Sequence, residues 1–152
     1  ILLLSLNLDN EKIGIIVAAY PIFWGFGQLF TGKMSDLYSK KRMLFWGMLI
    51  QGISIIFFTY TTNFILLLSL SIILGIGTAI VYPTFLTVIA DESPPIQRAE
   101  SIGAFRLWRD LGYAIGAIIS GVTADFFGIE YSILLIGFIT ILSSFVIQLR
   151  MP

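Results

Sequence analysis

The sequence predicts an all-α membrane protein, and three observations lead there. The chain has 152 residues, 57% hydrophobic and 12% charged, against about 45–50% apolar and about 25% charged in an ordinary soluble domain. Its apolar residues stand in long blocks rather than at the spacing of strands or surface helices, so the medium that suits them is lipid. Runs such as Ile65 to Leu70 do not alternate. That argues against barrel strands and leaves helices to satisfy the backbone polar groups in hydrocarbon.

Five spans follow from the charge-free stretches, each needing about 20 mostly apolar residues. No charge lies between Lys12 and Lys33, which places a first span over 13–31. None lies between Arg42 and Asp91 either, and the polar run Thr59, Thr61, Thr62, Asn63 divides that stretch into spans over 43–60 and 64–90. Pro83 should kink or tilt the longer of these. A fourth span covers 102–124 and a fifth 131–149, the latter bounded by Glu130 and Arg150. Residues 1–8 are expected to be the end of a preceding helix, which makes the chain a fragment beginning inside an apolar run. Loops are short, and no composition shift marks a soluble domain. The whole of 1–152 is expected to be one transmembrane unit.

Lys and Arg set the orientation. Lys33, Lys40, Lys41, Arg42, Arg98, Arg106, Arg109 and Arg150 fall on one side of the alternating spans, and Lys12 alone on the other. The first side is therefore cytoplasmic, as is the carboxy terminus.

Composition also removes functions. Nine basic and nine acidic residues balance, so no basic excess attracts nucleic acid. With no cysteine and no histidine, His/Cys zinc sites, disulfides and His-based triads are excluded. Gly75-x-Gly77 lacks the third glycine, the preceding strand and the lysine of a nucleotide loop, and close helix packing explains it better. No cofactor or metal is expected. A membrane enzyme would need catalytic polar groups clustered within the spans, and the expectation is that this chain is not one.

Three segments carry other chemistry. Tyr20, Trp24 and Gln28 are four apart and share a helical face. They either pack on a neighbouring helix or line a cavity that stacks on and hydrogen-bonds a solute. In the fourth span few residues separate Asp110 from Asp125, so Asp110, with Arg106 and Arg109, must sit at or inside the inner membrane boundary, where charge is costly. Arg106 and Asp110 are spaced to pair at i, i+4. That group is either a structural ion pair, with arginines snorkelling to lipid phosphates, or part of a gate or a solute and ion path. Gly112, Gly116 and Ser120 form a small-residue stripe suited to helix contact. Ser93 before Pro94 has the form of a helix N-cap.

The third segment, Gly32-Lys33-Met34-Ser35-Asp36-Leu37-Tyr38-Ser39-Lys40-Lys41-Arg42-Met43-Leu44, resembles the signature loop of the major facilitator superfamily. Gly32, Asp36, Lys40, Lys41 and Leu44 match, while Leu37 stands for the usual Arg and Ser39 for the second Gly. Tyr20 to Gln28 and the run Arg98 to Gly116 are similar to the same family. The span over 64–90 lacks the Arg expected in the fourth helix of an amino-terminal half. Arg150 closes a last helix without a long central loop. The resemblance thus points to the carboxy-terminal half, helices eight to twelve, of a twelve-helix bundle.

The resemblance implies a secondary transporter of a small solute working by alternating access, proton- or ion-coupled or facilitative, as a symporter or antiporter. It implies an integral protein of a prokaryotic inner membrane, with the lipid bilayer, the solute and an amino-terminal six-helix half as partners. Gly32, Asp36, Lys40 and Lys41 would be gate residues. Arg106, Arg109 and Asp110 would serve the gate or coupling. Tyr20, Trp24, Gln28, Thr78, Tyr82 and Tyr113 would line the solute cavity. With no histidine, proton coupling would fall to a carboxylate, Asp110 or Glu100, or to the other half. The competing reading is a non-transporting sensor or scaffold of the same fold. A small complete transporter fits poorly with a chain that starts within a helix.

The chain has no cysteine, so single cysteines placed in it report orientation once any elsewhere in the full-length protein are replaced. In the protein in intact cells, Thr62→Cys is expected to react with an impermeant maleimide from outside, and Ser39→Cys to react after the cells are opened. The reverse pattern would overturn the orientation.

Overall fold

The computed structural model describes residues 2–5 and 8–151, the side chains of Ser5, Ser35 and Asp36 excepted. After a single turn, α1 (Leu2–Ser5), come α2 (Asn10–Leu37), α3 (Lys40–Phe57), α4 (Phe64–Glu92), α5 (Arg98–Phe127) and α6 (Ile129–Arg150). A 3₁₀ turn at Phe58–Tyr60 ends α3. Within the expected stub, Ile1, Leu6 and Asn7 lie outside the described residues.

The elements end where local chemistry allows it. Asn63 caps α4, its Oδ1 accepting from the amides of Ile65 at 2.9 Å and Leu66 at 3.3 Å, so the polar run that divides the long apolar stretch does so through a helix cap. Gly128, at φ 95°, makes the tight link from α5 to α6. Pro21 and Pro83 both lie inside helices.

Two boundaries differ from expectation. The segment read as a loop from Gly32 is helical to Leu37, so most of it is the end of α2, and Tyr38 and Ser39 make the whole connection to α3. Nothing in it breaks a helix. Ser93 is the C-cap of α4, and α5 is preceded by Gln97. The consecutive prolines Pro94 and Pro95 hold that stretch in a turn.

Among the described residues four helical segments are long and apolar enough to cross a membrane: Asn10–Met34, Lys40–Tyr60, Phe64–Glu92 and Ile129–Arg150. The expected span over 102–124 falls in α5, which at 30 residues has the length but is not among them. Arg106, Arg109 and Asp110 near its middle lower its apolarity.

The helices pack as a layered half-bundle. The most extensive contact is α2 on α4, followed by α3 on α6 and on α4, and α5 leans on α6 and touches α4. Glycines set the crossings. A Cβ on Gly75 would stand 2.6 Å from the Tyr20 carbonyl oxygen, which fixes α2 against α4. A Cβ on Gly77 would stand 3.1 Å from the Gly47 oxygen, bringing α3 against α4. A Cβ on Gly52 would stand 2.9 Å from the Gly137 oxygen, bringing α3 against α6. Buried hydroxyls then bond across the gaps. Ser71 donates to the Ile16 carbonyl at 2.6 Å and Thr31 to the Ala79 carbonyl at 2.7 Å. Ser132 donates to the Ser120 carbonyl on α5 at 2.8 Å. Gly112 and Gly116, by contrast, meet nothing within 4 Å, and of the expected stripe only Ser120 makes a polar contact to α6. α5 has no buried residue among those described.

Gly52→Ala should therefore cost about 1–3 kcal/mol through overpacking, whereas Gly14→Ala, in open space, should carry no such cost. Unfolding in mixed detergent measures both. Equal stability of the two variants would contradict these crossings.

Candidate functional site

Helix direction decides which predicted residues meet. α2 and α4 run the same way, so Tyr20 and Trp24, near the middle of α2, lie beside Thr78 and Tyr82, near the middle of α4. The Tyr20 hydroxyl lies 3.5 Å from Thr78 Oγ1. Tyr20 and Trp24 stack with centroids 6.0 Å apart, and Trp24 meets Tyr82 edge-on at 6.4 Å.

α5 then brings in charge. Arg109 Nη1 donates to the Tyr82 hydroxyl at 3.2 Å. Its guanidinium lies 5.7 Å from the Tyr82 ring centre and 6.0 Å from that of Tyr113, both within cation–π range. Its Nε and Nη2 donate to Asp110 Oδ1 at 2.9 and 2.8 Å. A continuous seam results: Tyr20, Trp24, Tyr82, Arg109, Tyr113, with Thr78 behind it. One donor in it is unanswered, because Trp24 Nε1 is buried without an acceptor.

The seam corrects one expectation. Asp110 pairs with its neighbour Arg109, not with Arg106, which is exposed and makes no ion pair among the described residues. Asp110 lies well along α5, its side chain 60% exposed. Twelve residues from Arg98, at 1.5 Å each, put it about 18 Å up α5, level with Tyr82 in the body of α4. A carboxylate therefore stands near mid-height of the half-bundle. Gln28, one turn beyond Trp24, is half-buried and makes no hydrogen bond among the described residues.

The second cluster lies where α3 begins and α4 and α6 end. Lys40, opening α3, forms an ion pair with Asp91 at the end of α4. Lys41 donates to the Met151 carbonyl just past α6. The signature segment thus ties three helix ends together. Gly32 lies in the last turns of α2, and the side chain of Asp36 lies outside the described residues. Sequence reasoning missed Asp91. The available signal was that it is the first charge after α4's apolar stretch, on the same membrane side as Lys40.

Open grooves lie along the helices. One, about 560 Å³, begins at Tyr113 and runs between α5 and α6 past Gly112, Gly116, Ile136, Ile139 and Thr140, and its lining is mostly apolar. Another, about 320 Å³, lies at the start of α3 beside Tyr38, Arg42 and Trp46.

A bundle of long apolar helices joined by short turns, with a polar and aromatic seam at mid-height, is the architecture of a polytopic membrane protein. The model of the Major Facilitator Superfamily matches residues 1–152, and the chain belongs to that family. It is 29% identical over 97% of its length to an uncharacterised transporter of this type from Methanocaldococcus jannaschii, covering 38% of that protein. It is 26% identical over 96% of its length to the 4-hydroxybenzoate transporter PcaK of Pseudomonas aeruginosa, covering 33% of it. It is 28% identical over 80% of its length to the quinolone resistance protein NorA of Staphylococcus aureus, covering 31% of it. The chain thus spans about a third of the length of the curated relatives it matches. Two of these relatives are named as transporters.

The Lys40–Asp91 pair is largely at the surface, with Asp91 58% exposed. A double-mutant cycle with Lys40→Gln and Asp91→Asn should return a coupling under about 1 kcal/mol. A coupling of several kcal/mol would mean that the pair is enclosed in the working protein.

Proposed function

We propose that the chain is helices eight to twelve of a secondary transporter, with α2 as helix eight and α6 as helix twelve. Together with an amino-terminal half it carries a small solute across a prokaryotic cytoplasmic membrane by alternating access. On this reading α5 spans the membrane as well, its charged middle facing the partner half rather than lipid, and the carboxy terminus is cytoplasmic. The absence of charge along α4 before Asp91 supports the carboxy-terminal assignment.

The observation that carries the proposal is the seam from Tyr20 to Tyr113. It combines stacking surfaces, hydrogen-bond donors and one ion pair at mid-height on three helices. Its outermost member, Tyr113, is 70% exposed. Such groups are costly against lipid and find their place in a watery cavity. Gln28 extends the same wall.

Two functions divide between the two clusters. Gly32, Asp36, Lys40 and Lys41 act at the cytoplasmic gate, where the Lys40–Asp91 pair and the Lys41 bond hold α3, α4 and α6 as one rocking unit. Asp110 is the coupling carboxylate. Protonation removes its charge and releases Arg109, whose other close neighbours are Tyr82 on α4 and Tyr113 on α5. A proton bound at Asp110 thereby changes what the seam offers a solute, which is the differential interaction that coupling requires. Arg106, on an exposed face, serves the interface with the other half.

In proteoliposomes of the full-length protein with an imposed pH gradient, some small solute should move against its own gradient. Asp110→Asn should abolish the gradient dependence while exchange persists, and Asp36→Asn should slow turnover with binding intact. If a folded protein moves no solute under any gradient, the sensor or scaffold reading replaces this one.

A further inference from the structure

We infer that Thr31 is a positioning residue whose hydroxyl sets a hinge in α4, and that this hinge joins the seam to the gate. The inference rests on the transporter reading and deepens it by naming what links the two clusters.

Pro83 lies inside α4 and has no N–H to give. The carbonyl four residues back, that of Ala79, therefore lacks the donor an unbroken helix would supply. Thr31, on α2, donates to that carbonyl at 2.7 Å. Many hydroxyls in these helices bond back to a carbonyl of their own helix, as Ser54 does to Ile50 and Thr140 to Ile136. Thr31, Ser71 and Ser132 instead reach a carbonyl on a neighbouring helix. Ser71 meets Ile16, four residues before Tyr20, and Ser132 meets Ser120, four residues before Ala124. Tyr20 and Ala124 both have an N–H. Of these three bonds, the one from Thr31 alone answers a carbonyl that a proline has left bare. The place is closed to water: Thr31 is 5% exposed and Ala79 fully buried, and a Cβ on Gly27 would stand 2.6 Å from that of Ala79. Without the hydroxyl a buried carbonyl would go unanswered, which is costly.

The position of the missing rung gives the bond its role. Thr78 precedes Ala79, and Tyr82, which takes the Arg109 bond, precedes Pro83. The break thus lies within the α4 part of the seam. Beyond Pro83, α4 runs on to Glu92 and carries Asp91 to Lys40. A helix that lacks a rung bends there more readily than an intact one. A bend at Pro83 turns a change in Tyr82's contact with Arg109 into movement of Asp91 against Lys40. Thr31 stands next to Gly32, where the signature segment opens. Its hydroxyl ties that end of α2 to the joint and holds the joint in the present conformation.

The test uses the full-length protein in membranes with Tyr113→Cys as its one cysteine, and an impermeant maleimide added from either side. Thr31→Val keeps the side chain's shape and removes the hydroxyl. It should shift the ratio of the two reactivities roughly tenfold, the size expected when a buried acceptor loses its donor. Thr31→Ser, which keeps the hydroxyl, should stay close to the parent. Pro83→Ala supplies the missing N–H, so in that background Thr31→Val should have little further effect. Pro83→Gly supplies the same N–H if Pro83→Ala does not fold. An equal effect of Thr31→Val with and without Pro83, no shift from Thr31→Val, or Thr31→Ser as severe as Thr31→Val overturns the inference. A change in thermal unfolding with both reactivities unaltered makes the bond a strut and overturns it as well. Gradient-driven transport of some solute, with additive effects of the two substitutions, sinks the inference and leaves the carrier. The expected pattern without transport of any solute keeps the hinge and sinks the carrier.

Discussion

Inside hydrocarbon no hydrophobic effect draws one helix to the next, and every other feature of this chain depends on how the helices meet all the same. They meet where side chains are missing. Gly75 lets α4 reach the Tyr20 carbonyl, Gly77 and Gly47 let α3 and α4 touch, and Gly52 and Gly137 do the same for α3 and α6. Close approach gains dispersion contacts and brings buried hydroxyls such as Ser71 and Thr31 within reach of facing carbonyls. α5 has no such crossing. Its glycines face open space, so it sits at the edge of the half-bundle with its charged stretch uncovered.

That division explains where chemistry can sit. Four helices have the composition that lipid demands and one does not, and the one that does not carries Arg109 and Asp110 to mid-height. Tight α2–α4 packing sets Tyr20 and Trp24 beside Thr78 and Tyr82, so the guanidinium of α5 arrives at a prepared aromatic surface. The polar seam is thus a product of one rigid helix pair and one loosely held edge helix. That is a useful pairing for a protein that must rearrange around a site.

Much of this was legible in the sequence because lipid imposes blunt rules. Charge-free length located the apolar helices, and the Thr59–Asn63 run located the break that Asn63 caps. The i, i+4 spacing of Tyr20 and Trp24 placed them on one face. What was not legible is what depends on neighbours in space. The Arg106–Asp110 spacing suggested a pair, but Arg109 lies on the side of α5 that faces Tyr82, and it takes Asp110 instead. The signature segment looked like a loop because its residues are polar, yet polarity does not end a helix, and α2 continues to Leu37. Asp91 belongs to a helix end 51 residues from Lys40, a pairing that no local pattern reports.

The central claim is that the seam borders a watery path and not lipid or a dry helix contact. Tyr113→Cys in the otherwise cysteine-free chain tests it most directly, with the full-length protein in membranes and an impermeant, water-borne thiol reagent. The account predicts that the cysteine reacts, and that its rate changes when a transported solute is added. A cysteine that reacts with a lipid-soluble reagent alone, whatever solute is present, would place Tyr113 against the bilayer and contradict the account.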